Sequence, residues 1–103
     1  MIRSKLTAYI GFAARAGKIN SGDFTCEKLM KQKKVQLMLL SSDASENTRE
    51  KYEALCGRCD IACLYIDDLG RLIGKEAHKT AAVTDRHFAG IIREAYEATE
   101  QPN

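Results

Sequence analysis

The residues between positions 22 and 28 are of types that can bind phosphate groups. Gly22 has no side chain and allows a close backbone approach, at a point where the residue pattern predicts that a helix begins. Amide groups in the first turn of a helix attract anions, and Lys28, Lys31, Lys33 and Lys34 would extend positive charge along the following turns. We therefore expect a phosphate-binding helix start, with Gly22, Lys28 and Lys31 among its residues.

Three other side chains in this turn bear on what the site would recognise. Phe24 could stack on a base and Thr25 could offer its hydroxyl group, a combination that RNA recognition uses. Asp23 places an acid in the first turn, where the helix dipole favours negative charge. The alternative for Phe24 is a core position, because first-turn aromatic residues often pack under the preceding chain.

The cysteines could indicate a different chemistry, that of a thiol or zinc site. Cys56, Cys59 and Cys63 follow a C-x-x-C-x-x-x-C spacing. A structural zinc site normally needs four ligands, and His78 has no paired spacing with these cysteines. Redox activity favours a first cysteine at a helix N-terminus, whereas Cys56 lies near the predicted end of a helix. We expect inert thiols and no metal or cofactor, with the thiol or zinc protein kept as an alternative.

Charge is distributed unevenly along the chain. The net charge is only +2, but the first 34 residues carry eight Lys and Arg against two Asp and Glu. Such asymmetry steers a polyanion toward one face of the molecule. A solvated helix face, or a protein-interaction module whose basic face serves an acidic partner, would account for the same pattern. No phosphate-loop, dinucleotide or zinc-hydrolase motif is present, so we expect no enzyme.

The length of 103 residues and the hydrophobic content of 45% fit one domain with a single core. We expect this domain to span residues 1–100, with a tail at 101–103. No apolar stretch approaches the roughly 18 residues of a membrane span, and the N-terminal segment does not resemble a signal peptide. We therefore expect a cytoplasmic protein without a membrane partner.

Hydrophobic periodicity predicts the elements that must position these residues. Helices are predicted at 4–17, 22–33, 45–57, 67–74 and from 85 onward, and strands at 18–20, 35–40, 61–66 and 80–84. The alternation of strands and helices predicts a mostly parallel sheet between helical layers.

Several stretches of the chain resemble one known family. They are residues 11–18 (GFAARAGK), 21–22 (SG), 39–48 (LLSSDASENT), 69–75 (LGRLIGK) and 82–85 (AVTD). Together they resemble the kink-turn-binding ribosomal proteins, meaning the archaeal and eukaryotic large-subunit proteins seven-Ae and thirty-e, and in particular their bacterial YlxQ-like branch. The resemblance covers almost the whole chain.

This resemblance implies an α/β fold, a three-layer α/β/α sandwich with a four-stranded mixed sheet of the ribosomal protein thirty-e type. It also implies a non-enzymatic RNA-binding protein of ribonucleoprotein assemblies, and we expect this protein to be a monomer. Its partner would be structured RNA, either kink-turn or ribosomal RNA, with the ribosome as a further candidate. The implied surface combines the start of the second helix with two flanking loops. One loop holds Asp43, and the other consists of Lys75, Glu76, Ala77, His78 and Lys79.

One departure concerns the residues that read bases. Well-studied kink-turn binders have Gly-x-Asn-Glu-x-x-Lys, whereas Phe24 and Thr25 stand here in place of Asn and Glu. Gly22 and Lys28 match the pattern. Phosphate contact therefore carries over from the family better than kink-turn specificity does.

Overall fold

The computed structural model describes residues 2–100, with side chains described for residues 5–98. Helices and strands alternate along this part of the chain in the predicted order. They are α1 (Ile2–Arg15), β1 (Ile19–Ser21), α2 (Asp23–Lys31), β2 (Leu37–Ser41), α3 (Glu46–Cys59), β3 (Cys63–Ile66), α4 (Leu69–Leu72), β4 (Thr80–Val83) and α5 (Arg86–Glu100). The first helix begins two residues earlier than predicted. The predicted tail, residues 101–103, lies outside the described residues.

The strands of the described region form one four-stranded sheet in the order β1-β4-β2-β3. Strand β4 is antiparallel to both of its neighbours, and only β2 and β3 are parallel. The expectation of a mostly parallel sheet is therefore wrong, because β4 enters the middle of the sheet in the reverse direction. The mixed sheet that the resemblance implies is confirmed.

Helices cover both faces of the sheet. Leu37 and Leu39 of β2 point into a core formed with α1, α4 and α5, whereas Met38 and Leu40 point into a second core formed with α2 and α3. Successive residues of a strand face opposite sides, so the continuous apolar run in β2 fills both cores. The three-layer sandwich is thus confirmed.

Polar side chains begin two of the helices. The hydroxyl oxygen of Ser45 accepts a hydrogen bond from the Thr48 amide at 3.2 Å, and the Asp85 carboxylate accepts one from the Phe88 amide at 2.8 Å. Both contacts satisfy amide groups that the first turn of a helix leaves unpaired. Within the described part of the chain, none of the helices has the length and apolar character needed to cross a membrane.

Four segments meet at one end of the sheet. Strands β1, β2 and β3 all finish at this end, and β4 begins there, as the pairing of Ser21 with Ala81 and of Leu40 with Thr80 shows. The start of α2 and the loops at 42–45, 67–68 and 75–79 are consequently brought together. These segments contain most of the residues that the sequence singles out.

Candidate nucleic-acid interface

Gly22 forms the start of α2 in a conformation that favours glycine. Its φ angle is 102°, and no side chain of the described residues caps the helix at this point. The Gly22 amide donates to the Thr80 carbonyl at 3.0 Å, which ties the helix start to the central strand β4. The first-turn amides of α2 are therefore held in a fixed position and carry no capping side chain, as an anion-binding helix start requires.

His78 lies directly against this helix start. Its Nδ1 atom is 2.7 Å from the hydroxyl oxygen of Ser21. A Cβ atom on Gly22 would lie only 3.4 Å from Cε1 of the imidazole. The loop at 75–79 is thus packed on the residue that begins α2. The contact between Ser21 and His78 could not be predicted from the sequence.

The loop after β2 is joined to the same loop by an ion pair. Nζ of Lys79 is 3.0 Å from a carboxylate oxygen of Asp43, and the hydroxyl of Ser41 donates to that carboxylate. These two contacts, that of Ser41 first, lower the pKa of Asp43 below its ordinary value. Asp43 is therefore a charged link between two loops.

Asp23 is engaged by α3. The buried Tyr52 hydroxyl donates to both the carbonyl and the carboxylate of Asp23, and Nζ of Lys51 lies 3.1 Å from the carboxylate. The bond from Tyr52, followed by Lys51, lowers the pKa of Asp23. Lys51 also contacts Glu27 at 3.2 Å. The single positive charge of Lys51 therefore offsets one of the two negative charges of these acids, which reduces but does not remove their repulsion of a phosphate group.

Phe24 is 80% exposed, so the alternative of a core position for this residue is wrong. Single exposed apolar side chains are common on protein surfaces, so the exposure of Phe24 makes its ring available without by itself identifying a partner. The neighbouring Thr25 is half-buried. An exposed aromatic ring beside free amide groups can stack on a nucleic acid base while the amides hold a phosphate.

The two lysines of α2 occupy different places. Lys28 and Lys31 are both exposed. Lys31 is the last residue of the nine-residue helix, and a helix rises 1.5 Å per residue, so it lies about 12 Å along the axis from Asp23. The structure therefore does not bring Lys31 together with the helix start.

The loop at 75–79 is shaped by Gly70 of α4. A Cβ atom on Gly70 would lie 2.7 Å from the Glu76 carbonyl oxygen and 2.8 Å from that of Lys75. Since neither backbone oxygen can move without shifting the loop, only glycine fits at this position. Lys75, Glu76 and Ala77 remain exposed beyond this contact. Gly70 is part of the quoted resemblance, but the sequence alone does not reveal its contact with the loop.

The cysteines do not form a metal site in the described residues. No group of three His, Cys, Asp or Glu side chains in this part of the chain is arranged to hold a metal ion. Cys56 is buried, Cys63 is half-buried and hydrogen-bonded to it, and Cys59 is exposed at the end of α3. Burial raises the pKa of Cys26 to about 11, so this thiol is protonated at neutral pH.

Comparisons with known proteins converge on one family. The model of the family described as Ribosomal protein L7Ae/L30e/S12e/Gadd45 matches residues 4–92. RNA-binding protein YlxQ of Bacillus subtilis (strain 168) is 39% identical over 86 residues, which are 81% of this chain and 86% of that protein. RNA-binding protein YlxQ of Enterococcus faecium is 29% identical over 98 residues, 92% of this chain and 94% of that protein.

Solved structures show the same fold. A protein with unknown function from Bacillus halodurans C superposes with a TM-score of 0.85 at 30% identity, covering 90% of this chain and 97% of that chain. The Giardia lamblia 15.5kD RNA binding protein gives a TM-score of 0.73 at 17% identity, covering 96% of this chain and 88% of that chain. The second likeness concerns the fold alone.

Proposed function

The chain belongs to the Ribosomal protein L7Ae/L30e/S12e/Gadd45 family, and we propose that it is a non-enzymatic protein that binds structured RNA. The start of α2 contacts the RNA backbone, and the loops that contain Asp43 and His78 flank it. Two relatives that bear the name RNA-binding protein support this proposal. The protein acts as a cytoplasmic monomer without a cofactor.

The observation that carries the proposal is the joining of three backbone segments around one helix start. His78 contacts Ser21 and packs against Gly22, while Lys79 pairs with Asp43. These contacts hold the loops in place before any ligand arrives, which reduces the entropy lost on binding. The resulting surface presents free amide groups and exposed polar side chains to one partner at once.

Phosphate contact and base stacking are the two modes of recognition that the residues favour. The amides that follow Gly22 and the Nζ group of Lys28 fit phosphate oxygens. Phe24 supplies an exposed ring for a base that is not paired, as in the loops and bulges of folded RNA. Both modes are compatible with kink-turn RNA and with ribosomal RNA, including RNA within the ribosome.

Kink-turn recognition is the finer part of the proposal. Thr25 can donate one hydrogen bond to a base edge, whereas Phe24 can donate none. In the kink-turn binders that the sequence resembles, the Asn and Glu in place of Phe24 and Thr25 read sheared guanine pairs, and the loop at 75–79 covers an extruded base. This protein would then recognise the bent shape of the RNA and that base more than the sheared guanine pairs.

Binding to two RNAs tests the proposal. The first is a kink-turn RNA, and the second is the same RNA with its sheared pairs replaced by Watson–Crick pairs. Tighter binding to the first supports kink-turn recognition, and equal affinities limit the function to structured RNA in general. The absence of binding to either RNA and to ribosomal RNA would refute the proposed function. Phe24→Ala is expected to weaken binding by about 1–3 kcal/mol if a base stacks on its ring.

A further inference from the structure

We propose that the protein carries a second RNA contact at the opposite end of α2, where it binds the phosphate backbone of a stem that leaves the helix start. We call this surface the far-end patch, and it consists of Lys31, Lys33, Lys34 and Arg58. The inference rests on the proposed RNA-binding function and extends it to a surface about one helix length away.

The far-end patch lies where two helices finish side by side. Helix α2 ends at Lys31, and α3 ends at Cys59. Lys33 and Arg58 line one open recess of about 480 Å³ between the two helix ends. Residues that are 25 positions apart in the sequence therefore share one surface, and Arg58 could not be assigned to it from the spacing of the lysines.

The cations of the far-end patch form no ion pairs within the described part of the chain, although one carboxylate lies near them. All four side chains are exposed, and none of them is ion-paired with a carboxylate of the described residues. By contrast, Lys51 and Lys79 at the other end of the sheet are both paired. Asp60 is the one acidic residue that lines the recess.

Helix dipoles do not account for this much positive charge. The C-terminus of a helix is equivalent to about −0.5 of an elementary charge, so the ends of α2 and α3 together offset about one of the four cations. Asp60 offsets one more. A net charge of about +2 remains on the surface, and the repulsion among its members is relieved when a polyanion binds.

The distance between the two surfaces suits a nucleic acid stem. The nine residues of α2 span about 13 Å. A B-form double helix places one phosphate per strand every 3.4 Å or so along its axis, and an A-form RNA stem rises less per base pair, so a stem that follows α2 reaches the far-end patch after roughly four to five base pairs. A minimal RNA with shorter stems would touch only the helix start.

Stem length and a charge-removing variant test the inference together. The RNAs are two bulged hairpins that share one long stem. In the short RNA the stem that follows α2 has roughly three base pairs closed by a stable loop, and in the long RNA it has roughly twelve. The variant Lys33→Gln/Lys34→Gln/Arg58→Gln is expected to bind the long RNA about tenfold more weakly at low salt. The slope of the logarithm of its affinity against the logarithm of the salt concentration should be shallower by about two to three, since each lost phosphate contact reduces the slope by roughly 0.9. Binding of the short RNA should be unchanged, which also shows that the variant is folded.

A matched control separates local contact from net charge. Lys5→Gln/Arg86→Gln/Arg93→Gln removes the same number of charges from α1 and α5, on the other face of the sheet. If both variants lose affinity for the long RNA equally, the effect is a general field and the far-end patch is overturned. If the control variant binds the long RNA like the unaltered protein while the far-end patch variant binds it more weakly, the second RNA contact is supported.

Cys59 offers an independent readout, because this exposed thiol lines the same recess. Its alkylation by N-ethylmaleimide should be slowed several-fold by the long RNA and unaffected by the short one. The variant Cys59→Ser lacks this thiol, so the part of the alkylation that is missing in this variant is the part that occurs at Cys59. An equal rate with and without saturating long RNA would refute the inference while leaving the proposed function intact. Failure of both RNAs to bind would refute both.

Discussion

The hydroxyl oxygen of Ser21 lies 2.7 Å from Nδ1 of His78, although the two residues are 57 positions apart in the chain. The contact joins the residue before the start of α2 to the loop before β4. It therefore couples the position of the start of α2 to the position of the loop that flanks it. The following expectations concern this coupling and its neighbours.

Ser21→Ala should loosen the loop at 75–79 without removing any group that faces the RNA. The lost hydrogen bond is worth about 0.5–1.5 kcal/mol of stability. RNA affinity should fall by a few-fold, and amide hydrogen exchange should rise in the loop more than in α5. His87→Ala, an exposed change on α5, serves as the control and should alter neither quantity. Unchanged exchange at His78 would contradict the coupling.

Two helical glycines should respond in opposite ways to alanine. Gly70→Ala places a Cβ atom 2.7 Å from the Glu76 carbonyl and should destabilise the protein by about 1–3 kcal/mol. Gly90→Ala on α5 meets no atom within 4 Å and should stabilise the protein by about 0.5–1 kcal/mol. Urea unfolding measures both changes. Equal effects of the two substitutions would show that Gly70 does not hold the loop.

Lys28→Ala should weaken the binding of all structured RNAs to a similar degree. If Lys28 contacts one phosphate, the log–log salt dependence becomes shallower by about 0.7–0.9. The measurement is a salt titration of binding affinity. Arg86→Ala on α5 is the control, and it should leave the slope unaltered. The assignment of Lys28 as a phosphate contact fails if its own variant keeps the original slope.

Tyr52→Phe should loosen the start of α2 from within the core. The hydroxyl group donates to the backbone and the side chain of Asp23, and its loss should reduce the free energy of unfolding by about 1–2 kcal/mol. Tyr96→Phe on α5 is the comparison. A difference of less than about 0.5 kcal/mol between the two variants would mean that the bonds to Asp23 add little net stability.

The pH dependence of stability should report on Asp23. Its pKa is lowered in the folded protein, chiefly by Tyr52 and then by Lys51. As the pH falls, Asp23 therefore takes up its proton at a higher pH in the unfolded chain than in the folded protein. The stabilisation that ionised Asp23 provides is fully present above the ordinary pKa of about 3.9 and is lost as the pH falls through the lower pKa of the folded protein. The free energies of unfolding in urea of the unaltered protein and of Asp23→Asn should differ near pH 6, and the difference should shrink progressively as the pH falls below about 4. A constant difference would exclude this linkage.

Hydrophobic periodicity was sufficient to predict the order of the elements and the position of the helix start. Its prediction of a mostly parallel sheet was wrong at β4, because alternating strands and helices favour crossover connections between parallel strands and give no signal for one strand that runs the other way. The run at 80–84 looks the same in either direction, and it is the pairing of Leu40 with Thr80 that places β4 in the centre. The mixed sheet came from the resemblance alone.

The residues of the candidate site could be predicted where they are close together in the chain, but not where packing brings distant residues together. Gly22 and Lys28 were identified by type and spacing within one helix. Tyr52 lies 29 positions from Asp23, and its hydrogen bond is a product of the packing of α3 on α2. Phe24 could not be assigned to core or surface, since a first-turn aromatic residue occurs in both places. Only the exposed fraction of its side chain decides between them.

The central position of β4 governs when this surface can exist during synthesis. β1 and β2 do not pair with each other, and both pair with a strand that follows them by some 40 residues or more. Until β4 has left the ribosome, neither the Gly22 amide nor the Ser41 amide has its partner in the segment at 79–80. If the proposed site binds RNA, a nascent chain gains that ability only once β4 has completed the sheet, so sheet closure and binding competence would arise together and late in synthesis.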